Sequence, residues 1–130
     1  MATPEGRFAA RVRENLDGCY VTRLESRVGL GIPDCLLAFR GRFVMVELKV
    51  VLAGRKVRLS PHQIAFHTKH ATYRCPTFVL VEWKGLKRVR LYSGGQAIDL
   101  AERGWDVVPQ WECGLPGVQW HMLRVELEGA

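Results

Sequence analysis

Two apolar runs split by a short polar break constrain this chain more than any other feature. Cys35-Leu-Leu-Ala-Phe39 and Phe43-Val-Met-Val-Glu-Leu-Lys-Val-Val51 read as consecutive strands, with Arg40-Gly41 as a tight turn between them. If those two residues form the turn, the register is fixed: Phe39 faces Arg42, and the ladder continued outward sets Asp34 opposite Glu47. Glu47 and Lys49 are two apart on one strand, so they point to the same face, beside Phe43, Met45 and Val51. Two carboxylates and an ammonium are thereby gathered together.

Like charges placed opposite one another destabilise a sheet, and each carboxyl raises the other's proton affinity unless a cation neutralises them. Lys49 offsets only one of the two charges. Both faces of 43–51 are apolar, so the strand reads as central and the pair as buried, against the competing picture of an edge hairpin with its acids in water. Oxygen ligands of this kind suit a hard divalent ion, Mg²⁺ or, in its place, Mn²⁺.

Around this hairpin the chain reads as follows. Residues 5–16 form a short amphipathic helix, with Phe8, Val12 and Leu16 on one face. Cys19 to Leu24 alternates as a strand and is broken by Gly29-Leu30-Gly31. The loop 52–58 is basic. Ser60-Pro61-His62-Gln63 opens a helix to about Ala71, with Ser60 as N-cap, Pro61 at the first helical position and Gln63 completing a capping box. Strands at 77–83 and 87–92, a helix at 96–103 and a strand near 118–127 follow. The order α-β-β-β-α-β, then an appendix, predicts an α/β or α+β fold with a central mixed sheet flanked by helices. One domain is expected, with a core at about 5–92 and an appendix at 93–130; no repeat or linker interrupts it.

Charge points to the partner. The net charge is +6, but residues 1–90 hold 17 Lys and Arg against seven Asp and Glu, and residues 91–130 hold two against six. A basic N-terminal two-thirds suits a polyanion such as nucleic acid. Arg7, Arg11, Arg13, Arg23, Arg27, Arg55, Lys56 and Arg58 are the candidate phosphate contacts. No apolar run approaches the ~18 residues of a membrane span, and Met1 to Arg7 lacks a signal-peptide core, so a cytoplasmic location, in a bacterium or a phage-infected host, is expected. The cysteines Cys19, Cys35, Cys75 and Cys113 form no C-x-x-C pair and read as free thiols. His67 and His70 lack a third metal ligand nearby in sequence. Trp105, Trp111 and Trp120 read as core or interface residues before base-stacking platforms.

Pro33-Asp34, followed thirteen positions on by Glu47-x-Lys49, on consecutive strands between two helices, resembles the PD-(D/E)xK nuclease superfamily. The resemblance spans residues 5 to about 83, with a restriction-endonuclease-like core. Within the superfamily the chain looks most like phage-type Holliday-junction resolvases and VRR-NUC endonucleases, through Arg13-Glu14-Asn15-Leu16, Gly29-Leu30-Gly31-Ile32-Pro33-Asp34, Val46-Glu47-Leu48-Lys49 and Leu59-Ser60-Pro61-His62-Gln63. The resemblance implies a metal held by Asp34, Glu47 and the Leu48 carbonyl. It implies that Lys49 positions water or stabilises phosphate charge, that Gln63 orients water or phosphate, and that Glu14 is the acid of the first helix. Glu25 is the alternative acid, and Ser26 loosely matches a serine of some resolvases. The substrate implied is branched DNA, a four-way junction first, cut by a homodimer with the tryptophan-bearing C-terminal segment as its interface. A flap-cutting repair nuclease and a non-catalytic DNA-binding module are the alternatives.

Overall fold

The computed structural model describes residues 3–24 and 31–129. Helix α1 (Pro4–Asn15) starts from Thr3, whose hydroxyl accepts the Gly6 N–H. Strands β1 (Tyr20–Arg23), β2 (Cys35–Phe39) and β3 (Arg42–Val51) form an antiparallel meander, followed by helix α2 (Pro61–Thr72). Strand β4 (Thr77–Trp83) lies parallel to β3, since α2 carries the chain back to the sheet's other end. Strand β5 (Arg88–Ser93), helix α3 (Ala97–Arg103), strand β6 (Trp111–Gly114) and helix α4 (Trp120–Glu128) complete the chain, with single 3-10 turns at 94–96 and 104–106. The sheet has six strands in sequence order, antiparallel except at β3–β4, so the class is α+β with a mixed sheet.

Alternation sorts the sheet's side chains onto two cores. Cys35, Leu37, Val44, Val46, Leu48, Phe78 and Leu80 meet Phe8, Val12 and Leu16 of α1 and Leu123 and Leu127 of α4. Val51, Val79, Val81, Trp83 and Tyr92 meet Leu100 of α3 and the anchors Val57 and Leu59 of the basic loop, with Ile64 of α2 alongside. Every residue of β4 is buried, as expected of a strand flanked on both sides and covered on both faces. At the end of the second face nearest β1, no described residue covers the sheet, and Tyr20 is 73% and Phe43 66% exposed on either side of Ala38.

The C-terminal segment differs from its sequence reading. Residues 120–128 form a helix, not a strand. The buried leucines Leu123 and Leu127 are four apart, and Arg124 pairs with Glu128 at 3.2 Å on the outer side. The strand at Trp111–Gly114 was missed because its four residues are too few to show alternation. The segment 93–130 is no appendage: it supplies an edge strand and part of a core. Leu123→Ala should therefore destabilise the whole chain by about 2–5 kcal/mol, read as a shifted urea midpoint; a loss below about 1 kcal/mol would contradict this packing.

Candidate active site

Strand β3 is ten residues long, but β2 pairs only with Arg42 to Val46. Beyond that point the β2-side edge of β3 has no strand beside it. Its N–H groups are taken by carboxylates instead: Asp34 Oδ2 accepts from Leu48 N at 2.8 Å, and Glu5 Oε2 accepts from Val50 N at 3.3 Å. The observed register is the one the Arg40-Gly41 turn implied, Phe39↔Arg42 through Cys35↔Val46, and Asp34 lies in a bend one residue past it. Gly31 lies three residues before that bend. Its φ is +77°, and a side chain there would collide with the His62 carbonyl, so the approach to β2 is pressed against the start of α2.

Glu47, on the α2 side of the sheet, is 2% exposed. One oxygen accepts from Gln63 Nε2 at 3.2 Å and lies 4.0 Å from Lys49 Nζ; the other is buried with no hydrogen-bond donor among the described residues. Burial, then hydrogen bonding and repulsion from Asp34, push the Glu47 carboxyl up to about 9, while Lys49 pulls the other way. Lys49 donates to Gln63 Oε1 at 3.1 Å. The same Gln63 oxygen accepts from Ser60 N at 2.9 Å, and Ser60 Oγ accepts from Gln63 N, which completes the capping box. Gln63 thus closes the helix cap and joins Lys49 to Glu47.

The residues proposed for a metal fit a hard cation. An oxygen without a donor, a second carboxylate and an excess of negative charge are features that such an ion satisfies. Alternation turns the Leu48 carbonyl to the same edge as its N–H, towards Asp34. Among the described residues no group of three or more His, Cys, Asp or Glu is gathered to hold a metal, so the protein would supply two carboxylates and a carbonyl, with water completing the shell, as magnesium favours.

Other expected members lie elsewhere. Glu14 is exposed, and nine helical positions from Glu5 place it about 13 Å along α1 and on its opposite side. Glu5 is the α1 acid beside the site. Pro4 at the helix start and Thr3 as cap made Glu5 look like an ordinary first-turn carboxylate, so the sequence hid it. Glu25, Ser26 and Arg27 lie outside the described residues. Arg11 is paired with buried Glu82 at 2.7 Å, Arg55 with Asp106 at 2.7 Å, and Lys56 donates to the Glu102 carbonyl. Arg7, Arg13, Arg23 and Arg58 are exposed. Arg58 and Lys56 line a cavity of about 480 Å³ with Glu5, Lys49 and Gln63. His67 is buried with Nδ1 2.7 Å from Thr77 Oγ1, and burial lowers it to about 4, so it is a neutral core residue; His70 stacks on Phe66. The four cysteines are free thiols. Trp105 packs edge-on against Trp83 and under Arg90, within its own chain.

No family model matches the chain, and no curated protein matches it. Among solved structures it is similar to Hjc, a Holliday junction resolvase from the archaeal hyperthermophile Archaeoglobus fulgidus. The identity is 15% and the TM-score 0.48, covering 67% of this chain and 73% of that one.

The Glu47 carboxyl has a pH signature. Unfolded, it titrates near its ordinary 4.5; folded and metal-free, near 9. Between those values the folded chain keeps a proton that the unfolded chain has lost. Its stabilising effect is complete below the lower value and fades as pH rises through the upper one. Urea midpoints of the EDTA-treated protein should fall from about pH 5 to about pH 9, and Glu47→Gln should flatten that fall. An equal slope in both proteins would remove the buried, proton-hungry carboxyl.

Proposed function

We propose that this chain is a metal-dependent endonuclease hydrolysing phosphodiesters of branched DNA, most specifically four-way junctions. One observation carries the reading: Asp34 and buried Glu47 face each other at the open edge of β3, with Lys49 and Gln63 tied to Glu47. With both carboxyls ionised, that is more negative charge than a structural ion pair needs. Asp34, Glu47 and the Leu48 carbonyl would hold Mg²⁺, or Mn²⁺ in its place. Bound there, the ion supplies polarisation of the phosphate and a more acidic water. Glu5 is the acid placed to orient a further water at the same edge.

Lys49 is the group for negative charge developing on the phosphate oxygens. It is 19% exposed and aimed by Gln63, so it reaches the cavity from a fixed root. Gln63 takes the orienting role, held by its own helix cap. Arg58 and Lys56 flank the cavity and suit the backbone on either side of the scissile phosphate, with exposed Arg7, Arg13 and Arg23 further out. Such contacts position DNA without reading sequence, and binding weakens as salt rises. Cutting a four-way junction symmetrically needs two sites about a two-fold axis, so the working form is a homodimer. The uncovered apolar face around Tyr20 and Phe43 fits a subunit contact better than the tryptophans do, since Trp105 is engaged within its own chain.

Glu47→Gln and Lys49→Ala should bind a labelled four-way junction as the wild type does, and Lys49→Ala should lose about 10²–10³ of the Mg²⁺-dependent cutting rate. Mg²⁺ should raise the melting temperature of the wild type but not of Asp34→Asn or Glu47→Gln. Cutting retained in both catalytic variants would eliminate the site. Faster cutting of flaps than of junctions would move the substrate to repair intermediates.

A further inference from the structure

A second cavity, about 620 Å³, opens on the other side of α1 from the acidic edge, between that helix and the loop leading into α4. Its wall includes Leu115 and Trp120, both half-buried against the first core. Its rim carries Lys84 and Lys87, neither of whose ammoniums has a hydrogen-bond or ion-pair partner among the described residues. Glu82, its side chain 2% exposed, also lines it. Arg11 donates to one Glu82 oxygen at 2.7 Å, and a carboxylate with one such donor keeps acceptor capacity to spare.

We infer that this cavity binds an unpaired nucleotide of the DNA substrate, its base against Trp120 with an N–H edge directed at Glu82, its phosphate at Lys84 and Lys87. A nucleotide carries all three matching parts: a flat aromatic ring, amino or imino donors, and an anion. An acidic peptide offers the anion without the ring, and a lipid offers neither ring nor donor. The volume lies within the range of small-ligand sites. Bases within a duplex are stacked and out of reach, so the ligand is a base freed at a branch point, and in this the inference rests on the nuclease reading.

The position suits that role. Glu5, beside the metal ligands, and Arg11, at the cavity, are six residues apart on α1, about 9 Å of helix rise. Val50 and Glu82 are partners in the β3–β4 register, so the edge and the cavity also share one rigid ladder. The distance from held base to cut phosphate is then set by the fold.

Binding of the full chain to labelled oligo(dC) dodecamer, and to an abasic dodecamer of equal charge, measured by anisotropy in EDTA, tests this. The wild type should prefer oligo(dC) at least tenfold. Trp120→Ala should abolish most of that preference and Trp120→Phe keep it. Lys84→Glu with Lys87→Glu, both on the surface, should weaken both dodecamers at least tenfold. Equal binding of the two oligomers by the wild type, a preference that survives Trp120→Ala, or binding unchanged in the lysine variant would each overturn the site. Junction cutting without base preference defeats this inference alone, and base preference without cutting defeats the nuclease reading alone.

Discussion

The structure depends on one mismatch of length. Strand β3 has ten residues and its neighbour β2 has five, so half of a central strand presents backbone donors to an open edge. A buried sheet cannot leave such groups unpaired. Asp34 and Glu5 satisfy two of them with carboxylates rather than with another strand. Backbone satisfaction and the proposed metal site would therefore draw on the same atoms. Asp34 completes the sheet's hydrogen bonding at Leu48, and its charge crowds Glu47.

The crowding persists because the surroundings cannot relax it. Glu47 sits on a strand flanked by β4, whose seven residues are all buried. Gln63 is fixed by Ser60 through a helix cap that would form without any active site, and it holds Lys49 and Glu47 in turn. Glu47, Lys49 and Gln63 thus hang from a strand and a helix start, while Asp34 comes from the bend before β2. The stored unfavourable term is the buried second carboxyl, which a proton relieves in the free protein and which a divalent ion is suited to relieve in its place.

The central hairpin was legible because a two-residue turn between two apolar runs leaves one register, and the register predicts which acids meet. The capping box was legible for the same reason: its spacing is local. What could not be read depends on three-dimensional placement. Glu5 looks like any first-turn acid until Val50 N is seen beside it, and Glu14 looks equivalent until the helix is set on the sheet. A four-residue edge strand at Trp111 has too few positions to reveal a period. The helix from Trp120 shows itself only through two leucines four apart, in a stretch where valine and tryptophan also favour a strand.

The basic surface teaches a related point about charge. Of the cations expected to meet DNA, Arg11 serves Glu82, Arg55 serves Asp106, and Lys56 serves a carbonyl of α3. Counting charge along the sequence overstates the number free to hold phosphate, because a fold that buries acids must station cations beside them. Arg11 shows how such a station can gain a second use. The Arg11–Glu82 pair lies in the lining of a cavity shared with Lys84, Lys87 and Trp120, so a structural ion pair stands where the proposed base site would need an acceptor.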